Sequence, residues 1–318
     1  MMKPLKFLFA ALAVIIVTDT ARAEDGTWPR TVKHAAGELT IEKKPLRIVS
    51  TTPSLTGILL AIEAPVIATA ATTPSILTDD KGFFSQWAEV ADERGVKTLY
   101  SNLNFDIEAV IGAEPDLLIA SATGADSVLQ HYAELTAQGV PTLVVDYSNQ
   151  SWQEIAIELG KALGLEKEAA ASIARFDAYA AEAAKTIKPP AGPVSIVAYD
   201  IGSTYSVGRP ESPQGQLLQA LGLKVAGLPE ELRPQITRRS DFEFISRENL
   251  PAAVQTESVF LLRGTEKDVA AFLADPVLAN RAAVKNRQVY PLGPSSFRID
   301  YYSGRQMIDA VAQALKAP

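Results

Sequence analysis

The chain has no cysteine in its 318 residues and only two histidines, His34 and His131, far apart in sequence. Without cysteine there is no disulfide framework, so stability must come from packing. With two distant histidines as well, a zinc or transition-metal cage of the usual nitrogen and sulfur ligands cannot be built from one neighbourhood. No G-x-S-x-G elbow, no P-loop and no G-x-G-x-x-G after a strand occurs, so an enzyme has no sequence signal here. The balance of 30 basic against 37 acidic residues gives a net charge of −7, the wrong sign for a nucleic acid partner. Any anion the protein binds must therefore be held by local basic groups against the overall field. Beyond residue 17 no apolar run approaches the ~20 residues of a membrane helix, which argues against stable membrane insertion.

The N-terminus supplies the first positive signal. Lys3 and Lys6 precede an unbroken apolar run over 7–17, and Ala21-Arg22-Ala23 follows. This order is that of a secretory signal peptide over 1–23, with the mature chain beginning at Glu24. No cysteine follows the apolar run, so a lipid anchor is not expected.

Short apolar runs then alternate with helical patterns. Strands are predicted at 47–50, 65–68, 116–120 and 141–145, with helices at 53–62, 106–113, 126–138 and 152–163. Residues 166–187 hold neither glycine nor proline and are rich in alanine, glutamate and lysine, which predicts one long helix ending at the Pro/Gly-rich stretch 188–193. The alternation restarts with strands at 194–199, 259–262 and 288–292 and helices at 214–221, 267–273 and 305–315. The expected fold class is α/β, with two Rossmann-like lobes whose central sheets are mostly parallel, joined by one rigid helix. The lobes are placed at 24–164 and 189–318, and the connecting helix at 165–188.

In open α/β sheets ligands bind where strands end. The first lobe offers small hydroxyl residues there, with Thr52, Thr73 and Thr123 as candidates to donate hydrogen bonds to an oxygen-rich ligand. The second lobe offers Tyr205 and Arg209 after its first strand, Arg238 and Arg239, and a loop carrying Arg298, Tyr301 and Tyr302. A single arginine is most simply a solvated charge. Three arginine loops, two with tyrosine, form a wall suited to an anion that carries aromatic rings, because guanidinium groups stay charged and stack on aromatic faces. Glu108 and Glu248 each fall in the first turn of a predicted helix, where the helix dipole favours a carboxylate.

The stretches RIVSTTPSLTGILLAIEAPVIA (47–68), ATTP (71–74), PDLLIASATGADS (115–127), PESPQGQLLQALG (210–222) and FRIDYYS (297–303) carry a resemblance that spans essentially the whole mature chain. The chain resembles the periplasmic binding proteins that feed iron–siderophore and vitamin B12 importers, in particular those for ferric catecholates. The resemblance implies a class III periplasmic binding protein fold, a periplasmic location, an iron(III) tris-catecholate ligand of net charge minus three, and a monomer that delivers it to an inner-membrane ABC permease. It implies no cofactor and no metal ligand from the protein, since the siderophore supplies every ligand to iron. Arg239 and Arg298 match arginines of the family, whereas Arg209 has no basic counterpart and 75–85 lacks an arginine that the resemblance leads one to expect. Glu108 and Glu248 match glutamates that dock the permease. A hydroxamate siderophore or haem is the alternative ligand, and a siderophore esterase the alternative class; the latter needs a serine beside His34 or His131.

Overall fold

The runs of buried apolar residues that suggest parallel strands do form them. The computed structural model describes residues 27–148, 150–235 and 241–316, so the predicted signal peptide lies outside the described residues. An exposed hairpin, β1 (Arg30–His34) and β2 (Gly37–Ile41), opens the first lobe. There follow β3 (Ile48–Ser50), α1 (Pro53–Ala61), β4 (Val66–Thr69), α2 (Ala88–Glu93), β5 (Lys97–Thr98), α3 (Ile107–Gly112), β6 (Leu117–Ser121), α4 (Tyr132–Ala137), β7 (Thr142–Val145) and α5 (Trp152–Leu163). The sheet order is β5-β4-β3-β6-β7 and every pair is parallel. The chain leaves β3 toward one edge and returns to β6 on its other side, so the two strands form a topological switch point, the crevice where such sheets take ligands.

The linking helix α6 (Glu166–Ala184) is 19 residues long, about 28 Å at the rise of an α-helix. It ends before residue 187, because Ile187 forms a bridge with Lys316. Ala169, Ser172, Phe176 and Ala180 make its buried stripe at helical spacing.

The second lobe holds β8 (Val194–Ile201), β9 (Thr204–Gly208), α7 (Pro213–Ala220), β10 (Phe242–Ile245), α8 (Leu250–Ala253), β11 (Ser258–Leu261), α9 (Glu266–Ala274), α10 (Ala282–Lys285), β12 (Val289–Pro291) and α11 (Tyr301–Ala314). Its order is β10-β9-β8-β11-β12, with β8, β11 and β12 parallel and β9 antiparallel to both of its neighbours. A second switch point therefore lies between β8 and β11. One apolar core continues through both lobes, from Leu55 and Trp87 through Trp152 and Phe176 to Ile299, Met307 and Val311.

Two helices differ from expectation. The helix predicted over 126–138 begins as a 3-10 turn at Leu129–His131, and Asp126 stands outside it as a buried carboxylate. The last helix starts at Tyr301 and not at 305, because the Asp300 side chain accepts the Tyr302 and Ser303 N–H groups and caps it.

Candidate ligand-binding site

Each switch point carries a cavity. In the first lobe a cavity of about 430 Å³ is lined by Thr51, Tyr100, Asn104, Phe105, Asp126 and His131, among others. In the second a cavity of about 450 Å³ is lined by Tyr199, Asp200, Gly202, Arg263 and Asp268, with Ile76 of the first lobe at its edge. A smaller space of about 70 Å³ lies at the seam of the lobes, with Ser54, Tyr147, Trp152, Gln214, Asp241 and Arg298 around it.

Arg298 dominates the seam. It follows the turn at Pro294–Phe297, and its guanidinium carbon lies 4.2 Å from the centroid of the Tyr147 ring, across the lobe boundary. Its Nε–H is buried and has no hydrogen-bond partner among the described residues. Asp241 is the nearby counter-charge; burial holds its carboxyl above the ordinary value, an effect that Arg298 and then Arg209 only partly offset. Gln214 donates to the Ser296 and Phe297 carbonyls and so fixes the loop that presents Arg298. This is a partly desolvated cation with an unused donor, the state in which an arginine gains most from an arriving anion.

The other candidates sort by what their side chains touch. Arg209 is half-exposed, its Nε 3.5 Å from Glu211 Oε2, and its backbone N–H donates to the Asp241 carbonyl. Thr73 is exposed in the loop after β4, and Thr123 is half-buried in the loop after β6, its N–H donating to Ser121 Oγ. Arg238 and Arg239 lie outside the described residues. Thr52 is fully buried, and its hydroxyl donates to Asp126 at 2.5 Å. Tyr205 is not in a loop after a strand but within β9, buried, with its ring against Tyr199 at 5.6 Å. The Tyr301 ring is not among the residues around the seam space; it packs behind it, on seam residue Trp152 (5.9 Å) and on Phe176 of the linking helix (6.1 Å). Tyr302 packs against the same core, and burial pushes its hydroxyl up to about 12.

Glu108 is exposed in the first turn of α3, which Asp106 caps by accepting the Ala109 N–H. Glu248 is exposed in the 3-10 turn Arg247–Asn249, and its backbone N–H and the Ser246 hydroxyl hold its carboxyl below the usual range. That turn is anchored by Arg247, which donates at 3.0 Å to both oxygens of buried Asp275; Tyr199 donates to the same carboxylate. The histidines are engaged elsewhere: His34 Nδ1 accepts from the Ala36 N–H, and His131 stacks on Phe105 at 4.2 Å.

Sequence reasoning passed over Tyr147 and Arg263, although both directly follow strands. Arg263 lies two residues beyond β11 with φ of +56°, its N–H donates to Ser296 Oγ, and its guanidinium makes no ion pair among the described residues. A non-glycine residue held in the left-handed region beside a cavity is where strain and function tend to coincide. The signal available for both was position alone, the first residues beyond an apolar run.

With this geometry in hand, similarity to known proteins is informative. The chain belongs to the periplasmic binding protein family, whose profile, described as "Periplasmic binding protein", matches residues 48–295. It is 43% identical over 302 residues to the ferric enterobactin-binding periplasmic protein FepB of Escherichia coli O6:H1 (strain CFT073), covering 94% of each chain. Among solved structures, holo-ViuP matches with a TM-score of 0.80 at 38% identity, covering 92% of this chain and 99% of that one. PiaA of Streptococcus pneumoniae TIGR4, in complex with ferrichrome, matches with a TM-score of 0.68 at 20% identity over 90% of this chain and 98% of its own, a likeness of fold. The α/β architecture of two lobes on one helix is that of a class III periplasmic binding protein. Among the described residues no helix is long and apolar enough to cross a membrane, and no group of His, Cys, Asp and Glu could hold a metal ion.

Proposed function

We propose that this chain is the periplasmic receptor of an ABC importer, capturing a ferric catecholate siderophore of the enterobactin type and delivering it to an inner-membrane permease. The observation that carries this reading is Arg298, a partly desolvated arginine at the lobe seam with a free Nε–H. It sits in a chain 43% identical to a ferric enterobactin-binding protein. Three doubly deprotonated catecholates around one ferric ion leave three negative charges on a shell of aromatic rings. Arg298, Arg209, Arg238, Arg239 and Arg263 are the cations we assign to it, with Thr73 and Thr123 as first-lobe donors. Thr52, Tyr205, Tyr301 and Tyr302 take packing roles. The lobes keep their assigned extents of 24–164 and 189–318 and the signal peptide 1–23, while the connecting helix is shortened from the assigned 165–188 to Glu166–Ala184. Glu108 and Glu248, one exposed carboxylate on each lobe, are the proposed permease contacts. The protein acts as a monomer that binds its ligand without transforming it and needs no cofactor.

The test is a tryptophan-fluorescence titration of the mature protein with ferric enterobactin and with ferrichrome, an uncharged ferric hydroxamate. Trp152, beside Arg298 at the seam, is the closest reporter. Saturable quenching by ferric enterobactin at sub-micromolar concentration, which corresponds to roughly −8 kcal/mol or better, with weak or no response to ferrichrome, is expected. Equal binding of the two chelates would overturn the reading.

A further inference from the structure

Tyr147 has no part in the fold's connectivity, yet three first-lobe loops converge on holding its hydroxyl. That hydroxyl donates to Asp126 Oδ1 at 2.7 Å. The same carboxylate accepts the Thr52 hydroxyl at 2.5 Å and the Ser54 N–H at 3.1 Å, so it ties the loops after β3, β6 and β7 together. Gly124 completes the seat: a Cβ there would stand 1.7 Å from the Tyr147 hydroxyl, so only glycine leaves it room. Asp126 and Tyr147 are both buried, at 6% and 7% exposure. The ring face so fixed meets the Arg298 guanidinium of the other lobe at 4.2 Å.

We propose that Tyr147 is a positioning residue for Arg298, a platform tethered through Asp126 that orients the guanidinium across the lobe boundary and thereby sets the preference for a strongly anionic chelate. This rests on the proposed function and names a determinant of specificity within it. A guanidinium lying flat on a fixed ring keeps its edge N–H groups free and aimed in one plane, whereas an untethered arginine must be ordered by the ligand at the expense of affinity.

A double-mutant cycle tests it, using ferric enterobactin as the probe and thermal unfolding as a check on the fold. Tyr147→Leu, which removes the platform, is expected to weaken binding about tenfold, up to roughly 30-fold, the range of a desolvated cation–π contact. Tyr147→Phe, which keeps the ring and removes only the tether, should weaken it by a smaller factor. In the Arg298→Ala background neither substitution should cause further loss, because the platform then has nothing to position. Equal losses in both backgrounds would overturn the proposal, since a residue that merely supports the lobe weakens binding whether Arg298 is present or not. Failure of wild type to prefer ferric enterobactin over ferrichrome would instead remove the functional reading itself, and the proposal with it. If Tyr147→Leu does not fold, the Tyr147→Phe arm of the cycle decides alone.

Discussion

Within the stretch FRIDYYS the chain serves two regions with opposite physical demands. Arg298 turns toward the lobe seam, where it rests on Tyr147 with its Nε–H unpaired among the described residues. Three residues later Tyr301 turns to the linking helix, where Trp152, Phe176 and Arg305 surround its ring. Arg305 also lies 4.2 Å from the centroid of Tyr179 on α6, and the Tyr179 hydroxyl donates to Asp309 on α11. At the seam a charged donor is left unused, whereas at the linking helix the charged and phenolic groups of Arg305, Tyr179 and Asp309 engage one another, and the atoms left unpartnered among the described residues there include the neutral Trp152 Nε1 and Ser172 Oγ. The difference teaches that what separates the two regions is an unused charged donor, the kind of group an arriving anion can satisfy, and not the mere presence of unpartnered polar atoms. Asp300 separates the two: its side chain caps α11 by accepting the Tyr302 and Ser303 N–H groups, and the helix then carries the tyrosines behind the seam.

Substitutions can break this comparison, and the largest effect belongs to the linking helix. Phe176 is 3% exposed and packs on Trp152 at 5.1 Å. Phe176→Ala should destabilise the protein by about 3–5 kcal/mol in urea unfolding, while the folded protein binds ferric enterobactin as before. A parallel loss of affinity would mean that linking helix and seam are not separable. At the seam, Arg298→Ala should weaken ferric enterobactin by about ten- to 100-fold, corresponding to ~1.5–3 kcal/mol, with the unfolding midpoint nearly unchanged. Titration and melting of the same sample read both.

A third effect is on pH dependence. Asp300 is fully buried, and desolvation raises its carboxyl above the ordinary value of 3.8 despite the N–H groups it accepts. The folded state thus holds this proton more tightly than the unfolded state. Its contribution to stability is fully present below pH 3.8 and declines as pH rises through that value toward the folded pKa. Asp300→Asn keeps an oxygen for the cap but cannot titrate, so its stability should lack this decline, as urea unfolding at a series of pH values would reveal. The smallest effect is expected of Tyr301→Phe, whose lost hydroxyl accepts only from Arg305 at 3.3 Å. Stability should change by less than about 0.5 kcal/mol and affinity not at all. A tenfold loss of affinity would return Tyr301 to the ligand wall.

Much of the fold was legible in sequence because it follows from local patterns. The strands β3, β4, β6 and β7 are continuous apolar runs, and α5 is announced by its Ser151–Glu154 capping box and its left-handed Gly164. The antiparallel pair β9 and β10 was not foreseen, because Tyr205 and Ile245 meet only through pairing across a long sequence gap. The site was legible in its residue types and less so in its directions. Arg298 and Tyr301 look equivalent in a string of letters, and only the Asp300 cap decides that they face apart. Asp126 reads as a helix start, yet its carboxylate is consumed by Thr52, Ser54 and Tyr147, partners that no spacing rule connects to it. Tyr147 was missed for the same reason, since its importance lies in an arginine on the other lobe.

The most direct test of the central claim is to locate the iron. Crystals of the mature protein grown with ferric enterobactin and measured at the iron absorption edge would give an anomalous peak at the ligand's centre. The account predicts that peak on the face of the lobe seam, with the chelate in contact with Arg298. A peak inside the first-lobe cavity beside His131 and Phe105, with Arg298 still on Tyr147 and touching no ligand, would contradict it.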